Sequence, residues 1–338
     1  MRLLVTGATG FVGSRLALEA ARRGHEVTAT GRASRGKIVS DLLAAGVRFT
    51  PGDLTDEAFA IQVTRGVSHV CHLAAAWREA SAPPELFDKV NVRATLGLAR
   101  AAAANNVAVF VFCSTIGVHA RSAREPIRED SSFDATNAYE TSKLHTEEQL
   151  GEFATRTSMR IAILRPADAY GPGDTRLLKL FRSVEAGRFP LVGSGKGRRH
   201  MLFVDDLVDA FLAACEGEFT SGEVFIIAGP ESTTLLELLN RLARMTGSRR
   251  FGFRVPGPLM VIAAALIEDG CRLLNKAPPL HRRTLDFYRT DVIYDTDKAQ
   301  RTLRWKPQVG LAEGLQRTLD WYRERGLMPR PHGRPGRP

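Results

Sequence analysis

The amino-acid sequence predicts an α/β protein: a doubly wound parallel sheet with a smaller C-terminal substrate-capping region. Three observations carry that prediction. A glycine-rich turn joins a short apolar run to a helical pattern at the N-terminus, strand-like runs then alternate with helical patterns, and the alternation loosens beyond residue 166. Alternation of this kind gives parallel strands covered by helices on both faces. The 338 residues hold one full sheet domain, expected over 1–166, and a mainly substrate-binding region over 167–328 that returns in part to the sheet. The Pro/Gly-rich end, 329–338, reads as a disordered tail.

Met1 to Val5 is the first apolar strand, and Thr6-Gly7-Ala8-Thr9-Gly10-Phe11-Val12-Gly13 follows it with no spacer. Gly7 permits a tight strand-to-helix turn, Gly10 lets backbone N–H groups approach a pyrophosphate, and Gly13 lets the helix pack close to the strand. The helix at 11–23 then aims its positive N-terminal dipole at the phosphates. This order marks a Rossmann-type dinucleotide site, with Thr9, Phe11 and Val12 lining the turn. Further strands are expected at 26–30, 47–50, 69–73, 107–114 and 160–164, with helices at 84–104 and 137–156. Later, Gly171, Gly173, Gly193, Gly195 and Gly197 mark loops around helices at 205–216, 233–246 and 258–274, and 223–227 is one more strand-like run.

A dinucleotide fold usually carries an acidic residue at the end of its second strand to hold the adenosine ribose hydroxyls. Here that strand ends Thr28-Ala29-Thr30-Gly31-Arg32, and Ser34, Arg35 and Lys37 follow. A guanidinium from Arg32 or Arg35 can hold a ribose 2′-phosphate through charge-assisted bonds, which favours NADP over NAD as the cofactor; the alternative is a set of solvated loop charges. Gly52-Asp53-Leu54 closes the third strand, where Asp53 either accepts from an adenine amino group or caps a turn. After the fourth strand, the small residues of His72-Leu73-Ala74-Ala75-Ala76 leave room for a cofactor, with His72 expected to pack rather than react.

Tyr139 and Lys143 lie four apart on the expected helix 137–156, so both project from one helical face. A phenol ordinarily titrates near 10, and a neighbouring ammonium together with an oxidised nicotinamide is expected to lower it toward the working range. The strand before that helix ends Phe112-Cys113-Ser114-Thr115 and delivers a hydroxyl to the same edge of the sheet.

Through these motifs the chain resembles an extended short-chain dehydrogenase/reductase over roughly residues 1–325, with Asn91-Val92, Arg165-Pro166, Tyr170-Gly171-Pro172-Gly173 and Val204-Asp205-Asp206 adding to the match. The resemblance implies Tyr139 as general acid/base, Lys143 as the residue that binds the nicotinamide ribose and tunes Tyr139, and Thr115 as hydrogen-bond donor to the reacting oxygen, with Ser114 as the neighbouring alternative. It places Pro166 and Ala167 beside the nicotinamide, and Trp77, Asp168 and Arg199 on the substrate side. Sugar-nucleotide 4,6-dehydratases carry an Asp-Glu pair directly after the catalytic Thr; Ile116 and Gly117 stand there instead, which argues against dehydration. His119 replaces the Tyr of a common Val-Tyr-Gly stretch, either reshaping the pocket or packing. Arg199 aligns with a diphosphate contact of nucleotide-sugar epimerases, as Arg289 does less closely. The apolar stretch from Pro256 to Leu280 instead resembles hydroxysteroid and sterol-like reductases, and either covers an apolar substrate or completes the core.

The net charge of +10 comes from Lys and Arg residues spread along the chain, with Arg330, Arg334 and Arg337 in the tail and no basic block interleaved with aromatics. Nucleic acid is therefore not an expected partner, and the positive field suits an anionic cofactor or substrate. Cys71, Cys113, Cys215 and Cys271 make no metal-ligand spacing and read as small apolar residues in a reducing compartment. A phosphate loop starting at residue 6 is expected to leave no place for a secretory leader, and the apolar run 258–267 is too short to span a membrane, so a cytoplasmic protein is expected, with peripheral membrane contact left open. The Ala/Leu-rich helix 94–104 suits burial against the sheet or against a second subunit of a homodimer. The expectation is an NADP(H)-preferring oxidoreductase acting on a ketone or secondary alcohol; a nucleotide-sugar epimerase with tightly held NAD(P) and a non-catalytic cofactor-binding scaffold are the alternatives.

Overall fold

The structure, a computed structural model, describes residues 1–77, 82–119, 123, 125–257, 288 and 290–329. In strand β1 (Arg2–Thr6) Leu3, Leu4 and Val5 are wholly buried, the signature of a central strand covered on both faces. Helix α1 (Phe11–Arg22) leads to β2 (Glu26–Gly31), α2 (Lys37–Ala44) to β3 (Arg48–Pro51), and α3 (Glu57–Thr64) to β4 (His69–His72). A long helical stretch then runs as α4 (Pro84–Phe87), a π-helical segment (Asp88–Arg93) and α5 (Ala94–Ala104), followed by β5 (Val109–Cys113), α6 (Ala138–Ala154) and β6 (Arg160–Pro166).

The later half supplies β7 (Asp168–Tyr170), α7 (Leu178–Glu185), β8 (Phe189–Val192), β9 (Arg198–Arg199), β10 (Met201–Phe203), α8 (Val204–Glu216), β11 (Glu223–Ile227), β12 (Thr233–Thr234), α9 (Leu235–Thr246), β13 (Gly252–Val255), α10 (Asp297–Thr302) and α11 (Leu311–Glu324). Among the described residues, seven strands form one sheet in the order β11-β6-β5-β4-β1-β2-β3, and every pairing in it is parallel. Leu3 and Val5 pack with Leu16, Ala20, Leu207, Phe211 and Trp305 on one face. Leu4 packs with Ala60, Leu98, Phe110, Phe112 and Leu150 on the other, as the period-two alternation of a strand requires. This is the Rossmann-type doubly wound sheet that the alternation predicts.

A further apolar cluster gathers Tyr170, Phe181, Phe203, Leu238, Leu315 and Tyr322, with Phe11 and Val12 of α1 packed against it. The phosphate turn and the later half of the chain therefore share a surface. Strand 107–114 is trimmed at both ends, and strand 69–73 ends one residue early at His72. Helices α2 and α3 are additions to the expected pattern. Each spans eight residues, α3 starting from an Asp56 cap that accepts the N–H of Ala58 at 2.9 Å. No helix among the described residues is long and apolar enough to cross a membrane. The expected helix at 258–274, Cys271, Arg289 and the tail from Arg330 onward lie outside the described residues.

Candidate active site

Ligands of a doubly wound sheet bind at the carboxyl ends of its strands, and the first element there is the turn between β1 and α1. Gly7 sits at a φ of +67°, and a Cβ on it would come within 2.8 Å of the Ala74 backbone nitrogen. A Cβ on Gly13 would come within 2.8 Å of the Gly7 carbonyl carbon, so glycine here is a packing requirement. The N-cap of α1 is Gly10, with no side-chain cap and no acid in the first turn. The first-turn N–H groups at Phe11, Val12 and Gly13 are thus left for an outside anion, reinforced by the helix dipole. A dinucleotide fits this cradle on its backbone geometry.

Directly beside this turn runs the strip Leu73-Ala74-Ala75 after β4, half-buried and without bulky side chains. Thr6 Oγ1 accepts the N–H groups of Leu73 and Ala74, both at 3.1 Å, and lies 2.8 Å from His72 Nδ1. His72 Nε2 in turn lies 2.8 Å from Thr95 Oγ1, and burial pushes the imidazole down to about 3. His72 is a neutral clamp under the strip, as expected. At the far end, Arg32 and Arg35 are exposed after β2, while Lys37 is taken up by Asp41 at 3.0 Å. Asp53 accepts the Thr55 N–H at 2.9 Å, which holds its carboxyl below the usual range, with Arg32 adding attraction. Leu54 lies beside it, half-buried.

Helix α6 starts at Ala138 on an Asn137 cap that accepts the Glu140 N–H at 3.1 Å, while Glu140 reaches back to the Thr136 N–H at 2.9 Å. Double capping fixes Tyr139 in the first helical turn, with Lys143 one turn on. Lys143 is 2% exposed; its Nζ donates to the Cys113 carbonyl at 2.7 Å and lies 4.5 Å from the Phe112 ring centre and 5.9 Å from that of Tyr139. Burial lowers the ammonium to about 8. Burial also raises the Tyr139 phenol above its ordinary value and outweighs the opposing Thr115 hydroxyl and Arg176. In the protein alone, desolvation of the phenolate is the largest effect and favours the neutral phenol, whereas the expected depression belongs to the complex with an oxidised nicotinamide.

Thr115 accepts the Gly117 N–H at 3.1 Å and faces the phenol, whereas the Ser114 hydroxyl, 3% exposed, donates to Glu147. Glu147 is held by Arg165 from the end of β6, Nη2 to Oε2 at 2.6 Å and Nε to Oε2 at 3.0 Å, with both side chains buried. Arg165 Nη1 also donates to the Glu129 carbonyl and to His119 Nε2, each at 2.8 Å. The Nδ1–H of His119 is thereby left to donate to the Ser132 carbonyl at 3.2 Å. Of the two roles open to His119, the structure chooses packing. Pro166 and Ala167 continue β6 into the cleft, where the Ala167 N–H donates to Ile227 at 2.8 Å.

The family model named NAD dependent epimerase/dehydratase family matches residues 3–228. The chain belongs to that family. It is 29% identical over 332 residues to the 2-alkyl-3-oxoalkanoate reductase of Stenotrophomonas maltophilia, covering 94% of this chain and 98% of that one. It is equally 29% identical over 341 residues to the UDP-glucose 4-epimerase of Mycolicibacterium smegmatis, covering 96% and 99%. The crystal structure of a Thermotoga maritima UDP-glucose 4-epimerase with UDP-glucose superposes with a TM-score of 0.77 at 26% identity, covering 96% and 99%. Membership makes the chain an enzyme of the NAD dependent epimerase/dehydratase type and agrees with the extended short-chain dehydrogenase/reductase resemblance.

In this family member the candidate substrate residues come from both halves of the chain. Asp168 is exposed on β7 and within electrostatic reach of both Arg176 and Arg199. Arg199 is 8% exposed on β9, and burial lowers its basicity. Trp77 is 48% exposed, with the Arg176 guanidinium 5.6 Å from its ring centre. Arg176 had no place in the sequence-based site; the Tyr170-Gly171-Pro172-Gly173 motif three residues before it was the available signal. Asn91 is the second omission. Fully buried in the π-helical segment, it donates to the Ala76 carbonyl at 3.0 Å and to Ser142 Oγ at 2.9 Å, and accepts the Ala76 N–H at 2.8 Å. Ser142 donates to the Tyr139 carbonyl at 2.7 Å, so Asn91 ties the cofactor strip to the helix that carries the phenol.

Proposed function

We propose that this enzyme is an NADP(H)-preferring oxidoreductase that moves hydride between the nicotinamide and a ketone or secondary-alcohol carbon of a small-molecule substrate. The observation that carries the reading is the Tyr139 phenol, kept neutral by burial and facing Thr115, with the Lys143 ammonium on the same helix face. In reduction, Thr115 donates a hydrogen bond to the carbonyl oxygen, and Tyr139 delivers its proton to that oxygen as negative charge develops there. Lys143 holds the ribose beside the nicotinamide and stabilises the phenolate left behind. A bound nicotinamide supplies or accepts the hydride. Gly7, Gly10, Gly13, Leu73, Ala74, Ala75, Pro166 and Ala167 would hold the cofactor along the cleft.

The end of β2 supports the NADP preference. Gly31 holds the last strand position, where a ribose-capping acid ordinarily stands, and Arg32 and Arg35 stand exposed beyond it. Arg32→Ala is expected to cut the preference for NADPH over NADH about 10- to 100-fold, the worth of a charge-assisted hydrogen bond. An unchanged ratio sinks that assignment.

A nucleotide-sugar epimerase is the second reading, favoured by the buried Arg199 beside Asp168 and by the relatives that carry that name. Incubation with NADPH and a panel of ketones and sugar nucleotides separates the two. Stoichiometric loss of reduced-nicotinamide absorbance with a ketone supports the reductase. Interconversion of a sugar nucleotide with no net change in that absorbance overturns it in favour of the epimerase.

A further inference from the structure

We propose that Arg176 is a cofactor-binding residue, a guanidinium clasp that reaches from the loop after β7 across the cleft to the pyrophosphate at the N-terminus of α1. Its orientation is fixed from behind. Arg176 Nε donates to Asp174 Oδ1 at 2.8 Å, Nη2 donates to Asp174 Oδ2 at 3.1 Å and to the Ala169 carbonyl, and its own backbone N–H reaches Asp174 Oδ1 at 2.8 Å. Asp174 is 2% exposed and so serves as a buried anchor. Among the described residues these bonds use Nε and Nη2 but not Nη1, and the side chain stays 37% exposed.

The guanidinium carbon lies 5.9 Å from the ring centre of Phe11 and 5.6 Å from that of Trp77. Phe11 is the first residue of α1, the helix whose uncapped N–H groups face the phosphates. Attraction between a cation and two aromatic rings holds the plane of the guanidinium while leaving an N–H edge for an oxygen anion. The loop that carries it depends on glycine: Gly173 has a φ of +103°, and a Cβ there would come within 3.2 Å of Phe11 Cδ2. Backbone N–H groups thus meet the pyrophosphate from one side and a preset guanidinium meets it from the other. Because Arg176 belongs to the later half of the chain, pyrophosphate contact also draws that half onto the cofactor. The inference applies equally to a reductase and to an epimerase, since both hold the same dinucleotide.

Titration of the protein with ADP-ribose, with NADP⁺ and with AMP, followed by isothermal calorimetry, tests it without turnover. In Arg176→Gln, whose amide can still donate to Asp174, affinity for ADP-ribose and for NADP⁺ is expected to fall about 10- to 100-fold, while affinity for AMP, which lacks the pyrophosphate, stays within about twofold. Arg176→Lys keeps the charge without the planar fork and is expected to fall between wild type and Arg176→Gln. Retained AMP binding reports that the adenosine end is folded. Unchanged ADP-ribose affinity overturns the clasp, as does a loss confined to NADP⁺ or one that is equal for AMP and ADP-ribose.

Discussion

At the proposed phosphate cradle the groups offered to a ligand are main-chain N–H groups uncovered by glycine, whereas at the Tyr139 corner they are side chains whose protonation responds to burial. The cradle contains no charged side chain of its own in the first turn of α1. The corner packs Lys143, Glu147 and Arg165 below 6% exposure along the first half of α6. A backbone site is sensitive to volume and indifferent to pH; a buried-charge site is the reverse. Binding and chemistry in this enzyme are therefore separable by the kind of perturbation applied.

The sharpest separation is Tyr139→Phe, which removes the proton carrier and keeps the ring. Turnover is expected to fall about 10²- to 10⁴-fold, the usual worth of a positioned general acid, with cofactor affinity unchanged in a binding titration. Near-normal turnover would remove Tyr139 from the chemistry.

Lys143→Met comes next and acts on stability. With the ammonium lowered from 10.5 to about 8, the folded protein gives up this proton at a lower pH than the unfolded chain does. The unfolded state therefore binds more protons between pH 8 and 10.5, and stability from this group rises across that window by about 3 kcal/mol. At pH 7 the buried charge is a cost that the variant removes, offset in part by loss of the Cys113 carbonyl bond at about 1 kcal/mol. Denaturant titrations at pH 7 and pH 10 are expected to show the variant gaining ground at pH 7 and losing it at pH 10, together with a collapse of activity. Parallel behaviour at both pH values would contradict the buried ammonium.

The smallest effect belongs to the cradle. Gly13→Ala forces the helix away from Gly7 and is expected to cost about 1–3 kcal/mol, as overpacking does. Its loss of stability and of cofactor affinity should be the same at pH 6 and pH 9, and a pH-dependent loss would blur the distinction between the two regions.

Residues that carry strong local constraints were legible in the sequence. Gly7, Gly10 and Gly13 define the cradle because backbone approach admits nothing larger, and Tyr139 and Lys143 share a helix face by spacing alone. All seven sheet strands and α1 follow from runs that the sequence displays, and β1, β5 and β6 are apolar runs buried on both faces. Helix α2 escaped because Val39 and Leu42 are its buried residues and Ile38 and Leu43 face solvent, which leaves little period to read. The pairings of β7 with β10 and of β9 with β12 involve three and two residues at long separation, too short to print a pattern. Arg176 gains its place from Asp174, Phe11 and Trp77 together, a meeting that exists in three dimensions. The spacing displays Lys143 beside Tyr139 but conceals the depth of burial, which in the protein alone raises the phenol.

The π-helical segment Asp88–Arg93 places one residue more in its turn than an α-helix holds. Deleting one residue there would restore regular helical bonding, so the helix itself would tolerate or even prefer the shorter chain. The same deletion would leave α4 and α5 close to their present relative orientation, because a turn remains a turn, but would shift Asn91 within it and withdraw its carboxamide from Ala76 and Ser142. Chain length across residues 84–104 is thus a functional quantity in its own right: a shortened or chimeric version could fold with a better helix and lose the cleft.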